Sequence, residues 1–263
     1  MAVLAYDGTN FHGFAQQKGL RTVCGELVRA IEQVFALNTE VICAGRTDKG
    51  VHALGQVVHF DLPSIELERI DLTRLARSLN AMIGPEISVL DLKYVDKSFS
   101  ARHSAKSRLY RYTIVNSPVT SPFMYRYAWY VEQSLDLRAM ILGCDALIGE
   151  HDFSSFCKRP PGAGSDDPII RQVLRAGWTT NGATKIGDSS ITWPKEFART
   201  LNFEILASSF CHQMVRSVVG TLVAMGAGKR KAGEMTAIIR AKNRAVAEPP
   251  APPQGLYLVE VAY

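Results

Sequence analysis

Apolar segments of two different periods alternate along the whole chain, and that alternation limits what it can fold into. In the first half, strand-like runs at Ala2–Tyr6, Leu54–Phe60 and Ile87–Tyr94 are separated by stretches with helical spacing. Val23–Leu37 puts Leu27, Ile31, Val34 and Phe35 on one face, with Thr22 as its N-cap and Glu26 in its first turn. Asp71–Met82 repeats the pattern with Leu72, Leu75, Leu79 and Met82. The second half opens with a strand at Arg108–Val115 and a helix at Leu135–Ile148, followed by strands at Gln172–Trp178 and Arg199–Ala207. Phe210–Met225 is the most apolar helix, Ala232–Lys242 a shorter one, and Leu256–Ala262 closes as a strand. Helices distributed between strands in both halves predict two α+β units, divided at 1–104 and 105–263, without a clear internal repeat. Lys158–Pro168 and Ala245–Gly255 read as loops from their proline and glycine, and Thr179–Pro194 as a polar hairpin excursion.

No apolar run approaches the roughly 20 residues needed to span a bilayer, so no membrane association is expected. The opening Met-Ala-Val-Leu-Ala-Tyr-Asp lacks a basic leader, which predicts a cytoplasmic protein. Five cysteines, at 24, 43, 144, 157 and 211, include no C-x-x-C pair, and their odd number argues against a disulfide framework. They are expected to be mostly small core residues, and no metal site is expected. The net charge of +5 is modest, but its distribution is uneven. Lys97–Val131 holds Lys97, Arg102, Lys106, Arg108, Arg111 and Arg126 with no acidic residue. Arg216, Lys229, Arg230 and Lys231 fall in a second acid-free stretch, between Glu204 and Glu234. Interleaved with Phe99, Tyr110, Tyr112, Phe123, Tyr125 and Tyr127, the first tract fits a polyanion that offers bases for stacking. A solvated basic face is the alternative.

The chemistry is concentrated in Ala44-Gly45-Arg46-Thr47-Asp48-Lys49-Gly50-Val51-His52-Ala53, a loop between the apolar runs Glu40–Cys43 and Leu54–Phe60. Gly45 and Gly50 allow a sharp turn and a close approach to a ligand. Arg46 would favour the charged form of Asp48 and could grip phosphate. An ionised carboxylate on a tight loop suits nucleophilic attack or charge stabilisation, or else simply caps an Asx-type turn.

Arg-Thr-Asp-x-Gly-Val-His-Ala resembles the signature of the TruA-type tRNA pseudouridine synthases, and the likeness extends over nearly the whole chain. Tyr6-Asp7-Gly8-Thr9-Asn10-Phe11-His12-Gly13-Phe14 resembles the family's Y-D-G-x-x-F-x-G-W, with Phe14 in place of the usual tryptophan. Phe99-Ser100-Ala101-Arg102 and Arg108-Leu109-Tyr110-Arg111-Tyr112 look like F-x-A-R and R-x-Y-x-Y. Gly149–Phe156 resembles G-x-H-D-F-x-x-F, Phe210–Arg216 the helix bearing an active-site arginine, and Gly255-Leu256-Tyr257-Leu258 the closing strand.

The resemblance implies a pseudouridine synthase fold: two ferredoxin-like halves forming a continuous antiparallel sheet, with helices packed on one face. It implies a homodimer acting on uridines 38, 39 and 40 of the tRNA anticodon arm, with no cofactor. Asp48 is then the nucleophile, Tyr110 stacks on the flipped base and serves in proton removal, and Arg216 pairs with Asp48. Leu256 walls the base pocket, while Arg46, Arg102 and Arg108 contact the substrate. None of His12, His52, His59, His103, His151 and His212 is expected to be catalytic. Two rivals are an inactive RNA-binding protein of the same fold, which predicts a damaged Asp48 loop, and a nucleoside or glycoside hydrolase. The hydrolase needs a partner acid, for which the matched motifs offer Asp7 and Asp152.

Overall fold

The computed structural model describes residues 1–37, 39–62, 70–159, 162, 164, 167–181 and 199–263. The chain is mixed α+β, with ten strands paired mostly antiparallel and five α-helices among the described residues. It divides into two compact units, Met1–Arg108 with Tyr257–Tyr263, and Leu109–Leu256.

The first unit runs β1 (Ala2–Tyr6), α1 (Val23–Phe35), β2 (Ile42–Cys43), β3 (His52–His59), α2 (Leu72–Ile83) and β4 (Ile87–Leu92). The strand order β4-β1-β3-β2 is antiparallel throughout, the βαββαβ arrangement of a ferredoxin-like unit. Strand β10 (Leu256–Ala262) adds to β3 in parallel, pairing Tyr257 with His52 and Leu258 with Ala53. Gly55 permits this approach, because a Cβ there would overlap the Val259 carbonyl. Thr22 caps α1 by accepting from the Gly25 N–H, and Asp71 caps α2 by accepting from Thr73 and Arg74. Leu27 and Ile31 point from α1 into the core with Leu4, Val58, Leu79 and Ile87. Val34, assigned to that face from spacing, is exposed, because the helix ends one residue after it, at Phe35. Along β3, Val57 and Val58 are both buried.

The second unit repeats the scheme with β5 (Ser107–Asn116), β6 (Trp129–Val131), α3 (Leu137–Asp145), β7 (Gly149–Asp152), β8 (Ile170–Asn181), β9 (Arg199–Ala207), α4 (Met214–Gly226) and α5 (Glu234–Ala241). The order β5-β9-β8 matches β1-β3-β2, with β7 outside β8. Strand β6 runs parallel to β5. Phe153, Phe156, Phe203, Ile205, Val218, Leu222 and Met235 are core side chains of this unit. The excursion expected at Thr179–Pro194 is part of β8 through Asn181 and otherwise lies outside the described residues, as does part of Lys158–Pro168.

Two expectations are corrected in this unit. Phe210–Gln213 is not helical: Gln213 sits at φ +65°, and the Met214 N–H donates to the Cys211 carbonyl at 3.1 Å. The apolar spacing of α4 runs on into a turn that the backbone does not continue as helix. Cys157 and Cys211 form a disulfide, with Cα atoms 5.7 Å apart, while Cys24, Cys43 and Cys144 are free and buried. The partners are 54 residues apart, and only the fold brings them together. Among the described residues no helix is long and apolar enough to cross a membrane, and no group of three His, Cys, Asp or Glu could hold a metal ion.

Candidate active site

The Asp48 loop enters from β2 and leaves into β3, and each side of it is fastened to its own unit. The turn closes through the Asp48 carbonyl, which accepts from the Val51 N–H at 3.1 Å, with Gly50 at φ +76° in the position that calls for glycine. Gly45 is not left-handed. Its backbone is instead held at both polar groups by Gln56: Nε2 donates to the Gly45 carbonyl at 2.6 Å, and Oε1 accepts from its N–H at 3.4 Å. From the other side, the Phe14 N–H donates to the Thr47 carbonyl at 3.0 Å, and the Thr47 hydroxyl lies 2.8 Å from Tyr6 Oη. Gly13, at φ +92°, lets that segment pass, since a Cβ would stand 2.8 Å from the Thr47 carbonyl. Gly8 does the same at Val51. The Y-D-G-x-x-F-x-G-F stretch is therefore the bed on which the loop rests. Phe14 is buried within it.

His52 is buried and uses Nδ1 to accept from the Gly8 N–H at 3.0 Å, with its ring stacked on Tyr257 at 4.9 Å. The Asp7 Oδ1 lies 3.1 Å from the same nitrogen and also accepts from the Thr9 N–H and hydroxyl. His52 therefore fastens the β1–loop junction. Asp48 itself is half-buried, and Arg46 and Lys49 beside it are exposed.

Arg108, expected to bind substrate, is buried, and its guanidinium points into main chain. It donates to the Ala44 carbonyl at 3.0 and 3.3 Å, to Ala105 at 3.2 Å and to Arg102 at 2.8 Å. Ala44 is the first residue of the loop, so Arg108 holds the loop at its entry rather than presenting itself to a phosphate. Arg102 is exposed and contributes its carbonyl to that clamp. Ala101, fully buried between them, donates its N–H to His59 Nδ1 and accepts from the Tyr263 hydroxyl.

In the second unit, Tyr110 is 8% exposed and packs edge-on against Phe210 at 5.0 Å. Arg216, on the first turn of α4, is half-buried, and its Nε donates to the Ala251 carbonyl at 2.7 Å. The Ala251 N–H returns a bond to the Arg216 carbonyl, and the Tyr112 hydroxyl donates to the Pro252 carbonyl. The proline-rich segment before β10 is thus laid against α4, and it delivers Leu256, 6% exposed, at the start of the strand. In the Gly149–Phe156 motif, Asp152 accepts from the Ser154 N–H and hydroxyl and the Ile169 N–H, with Lys242 at 3.6 Å. Burial opposes its charge, but these donors more than offset that and hold the carboxyl below its ordinary range. The acid-free tracts prove less free than their sequence suggests. Arg111 bonds Glu204 at 2.8 Å, and Arg230 bonds Glu248 at 2.7 Å and Glu234 at 3.3 Å. Gln56 and Tyr6 were missed by sequence reasoning, because neither residue type signals a site on its own.

A model of the tRNA pseudouridine synthase family matches residues 2–102 and 144–263. A tRNA pseudouridine synthase A of Thermoanaerobacter sp. (strain X514) is 38% identical over 263 residues, covering 100% of this chain and 98% of its own length. Proteins of the same description from Brevibacillus brevis (38% identical, 99% and 98% covered) and Corynebacterium glutamicum (36% identical, 99% and 87% covered) are also similar. The match includes the Asp48 loop, the bed beneath it and the α4 arginine, and by it the chain belongs to the tRNA pseudouridine synthase family.

Proposed function

We propose that this protein is an isomerase that converts uridine to pseudouridine in tRNA, at positions 38, 39 and 40 of the anticodon arm. The reaction breaks the N1–C1′ glycosidic bond, turns the base and joins C5 to C1′. A proton leaves C5 and N1 gains one, so atoms and charge balance with no redox change and no cofactor. The enzyme must draw the uridine out of its stack and hold the cleaved base until it recombines.

In this reading Asp48 is the nucleophile, and the observation that carries it is the Asp48 loop itself, intact in sequence and fastened on both sides. Such a loop keeps a carboxylate in one place, as an attack on a single atom requires. Tyr110 supplies a stacking face and a hydroxyl for the C5 proton, and Arg216 pairs with the nucleophile. The anchoring of Arg216 through Ala251 limits the rotamers from which it acts. Leu256 offers an apolar wall, while Arg46 and Arg102, both exposed, contact the RNA backbone. In this reading the unit formed by Met1–Arg108 and Tyr257–Tyr263 carries the catalytic loop. The working form is a cytoplasmic homodimer.

Because the C5 hydrogen must leave, tRNA transcribed with 5-tritiated uridine reports the reaction as tritium released to water. The purified protein should release tritium from a tRNA carrying uridines at 38–40 and none from the same tRNA with cytidines there. Equal release from both would overturn the positional assignment, and release from neither the activity.

A further inference from the structure

Beneath the Asp48 loop, β1 and β3 carry a buried polar chain that the reaction just described does not use. Gln56, on β3, is fully buried. Its amide orientation is fixed by partners of opposite kind, the carbonyl and the N–H of Gly45. Nε2 has a second hydrogen, directed at Tyr6 Oη at 3.4 Å. Since that nitrogen can only donate, the tyrosine oxygen accepts from it, and the same hydroxyl shares a hydrogen bond with Thr47 Oγ1, 2.8 Å away. Burial pushes the Tyr6 hydroxyl far above its usual range, so it remains a donor at any working pH. The chain Gln56–Tyr6–Thr47 grips the loop at Gly45 and Thr47, on either side of Arg46 and directly before Asp48. A loop with two glycines has backbone freedom to lose, and side-chain hydrogen bonds from a packed sheet remove it.

We infer that Gln56 and Tyr6 are positioning residues for the isomerisation, a strut that sets where the Asp48 carboxylate stands. The inference rests on Asp48 being the nucleophile. Single-turnover rates at saturating tRNA, tRNA affinity and thermal midpoints should be compared for Tyr6→Phe, Gln56→Leu, Thr47→Val, Thr47→Ser and Asp48→Asn. A displacement of the carboxylate of about 1 Å costs up to about 100-fold in rate, so Tyr6→Phe and Thr47→Val should each lose about 10- to 100-fold. Affinity for tRNA should stay within about twofold, because the strut is buried away from the RNA. Thr47→Ser should recover most of what Thr47→Val loses. The double variant Tyr6→Phe/Thr47→Val should be little worse than the poorer single one, as expected for two ends of one contact. Should Gln56→Leu fail to fold, the Tyr6 and Thr47 variants carry the test.

Folded Tyr6→Phe and Thr47→Val proteins with rates within about twofold of wild type would overturn the strut. So would losses confined to affinity or to the thermal midpoint. If Asp48→Asn is inactive in that experiment, only the strut falls. If Asp48→Asn turns over normally, the nucleophile assignment falls and the strut with it.

Discussion

Arg108 separates two physical roles that an arginine in a basic tract can have. The structure gives its guanidinium four N–H contacts to three carbonyls, those of Ala44, Ala105 and Arg102. Its side chain is 8% exposed. Arg108→Ala leaves these acceptors without their charged donor and opens space where the side chain lay. Hydrogen bonds to a charged group contribute about 1.5–3 kcal/mol each, and water entering the vacated space will replace part of that, so a loss of about 3–5 kcal/mol is expected. At about 2–4 °C per kcal/mol for a chain of this length, the thermal midpoint should fall by roughly 10 °C. Arg108→Lys, with one ammonium in place of a planar fork, should recover less than about half of it. A phosphate contact predicts something else: little change in stability, and a drop of about 1 in the slope of log affinity against log salt. Thermal unfolding and salt-titrated tRNA binding on the same three proteins decide the matter. An unchanged midpoint with a slope reduced by about 1 would refute the clamp.

Other outcomes follow from single contacts. Gly8→Ala, whose methyl would overlap the Val51 carbonyl, should cost about 1–3 kcal/mol or more in a denaturant titration, because backbone must move rather than a side-chain tip. Closing a loop of 54 residues, the Cys157–Cys211 bond should contribute about 4 kcal/mol through the unfolded state. Reductant, or Cys157→Ser, should therefore lower the midpoint, and alkylation followed by intact mass should find only three reactive thiols in the unfolded, unreduced chain. The depressed carboxyl of Asp152 contributes stability that is complete above its unfolded value of about 3.9 and is lost as pH falls through its lower folded value. Asp152→Asn should accordingly flatten the acid limb of a stability–pH curve below about pH 4 while lowering the plateau.

Local pattern reached the elements well and their tertiary ties poorly. The cap at Thr22 and the strand Arg199–Ala207 follow from nearest neighbours in sequence, so they could be read directly. Phe210–Gln213 continues the apolar spacing of α4, yet the disulfide at Cys211 and a bond from the Lys158 N–H to the His212 carbonyl hold it as a turn. No window of the sequence contains both partners. The same reason hides Arg108, which reads as one more cation in an acid-free tract until the Ala44 carbonyl, 64 residues away, is seen to accept from it. Arg111 and Arg230 likewise meet carboxylates supplied by other segments. The Asp48 loop was legible because its motif is contiguous. Its supports were less so, because a buried glutamine and a strand tyrosine look like ordinary core residues until the register of β1 on β3 is known.

The most direct test is Asp48→Asn, a nearly isosteric exchange that removes only the nucleophilic charge. With 5-tritiated tRNA in single turnover, the wild-type protein should release tritium to completion. The asparagine variant should release none, while binding the same tRNA with unchanged affinity and unfolding at a similar temperature. Measurable release by a folded Asp48→Asn protein would contradict the account at its centre.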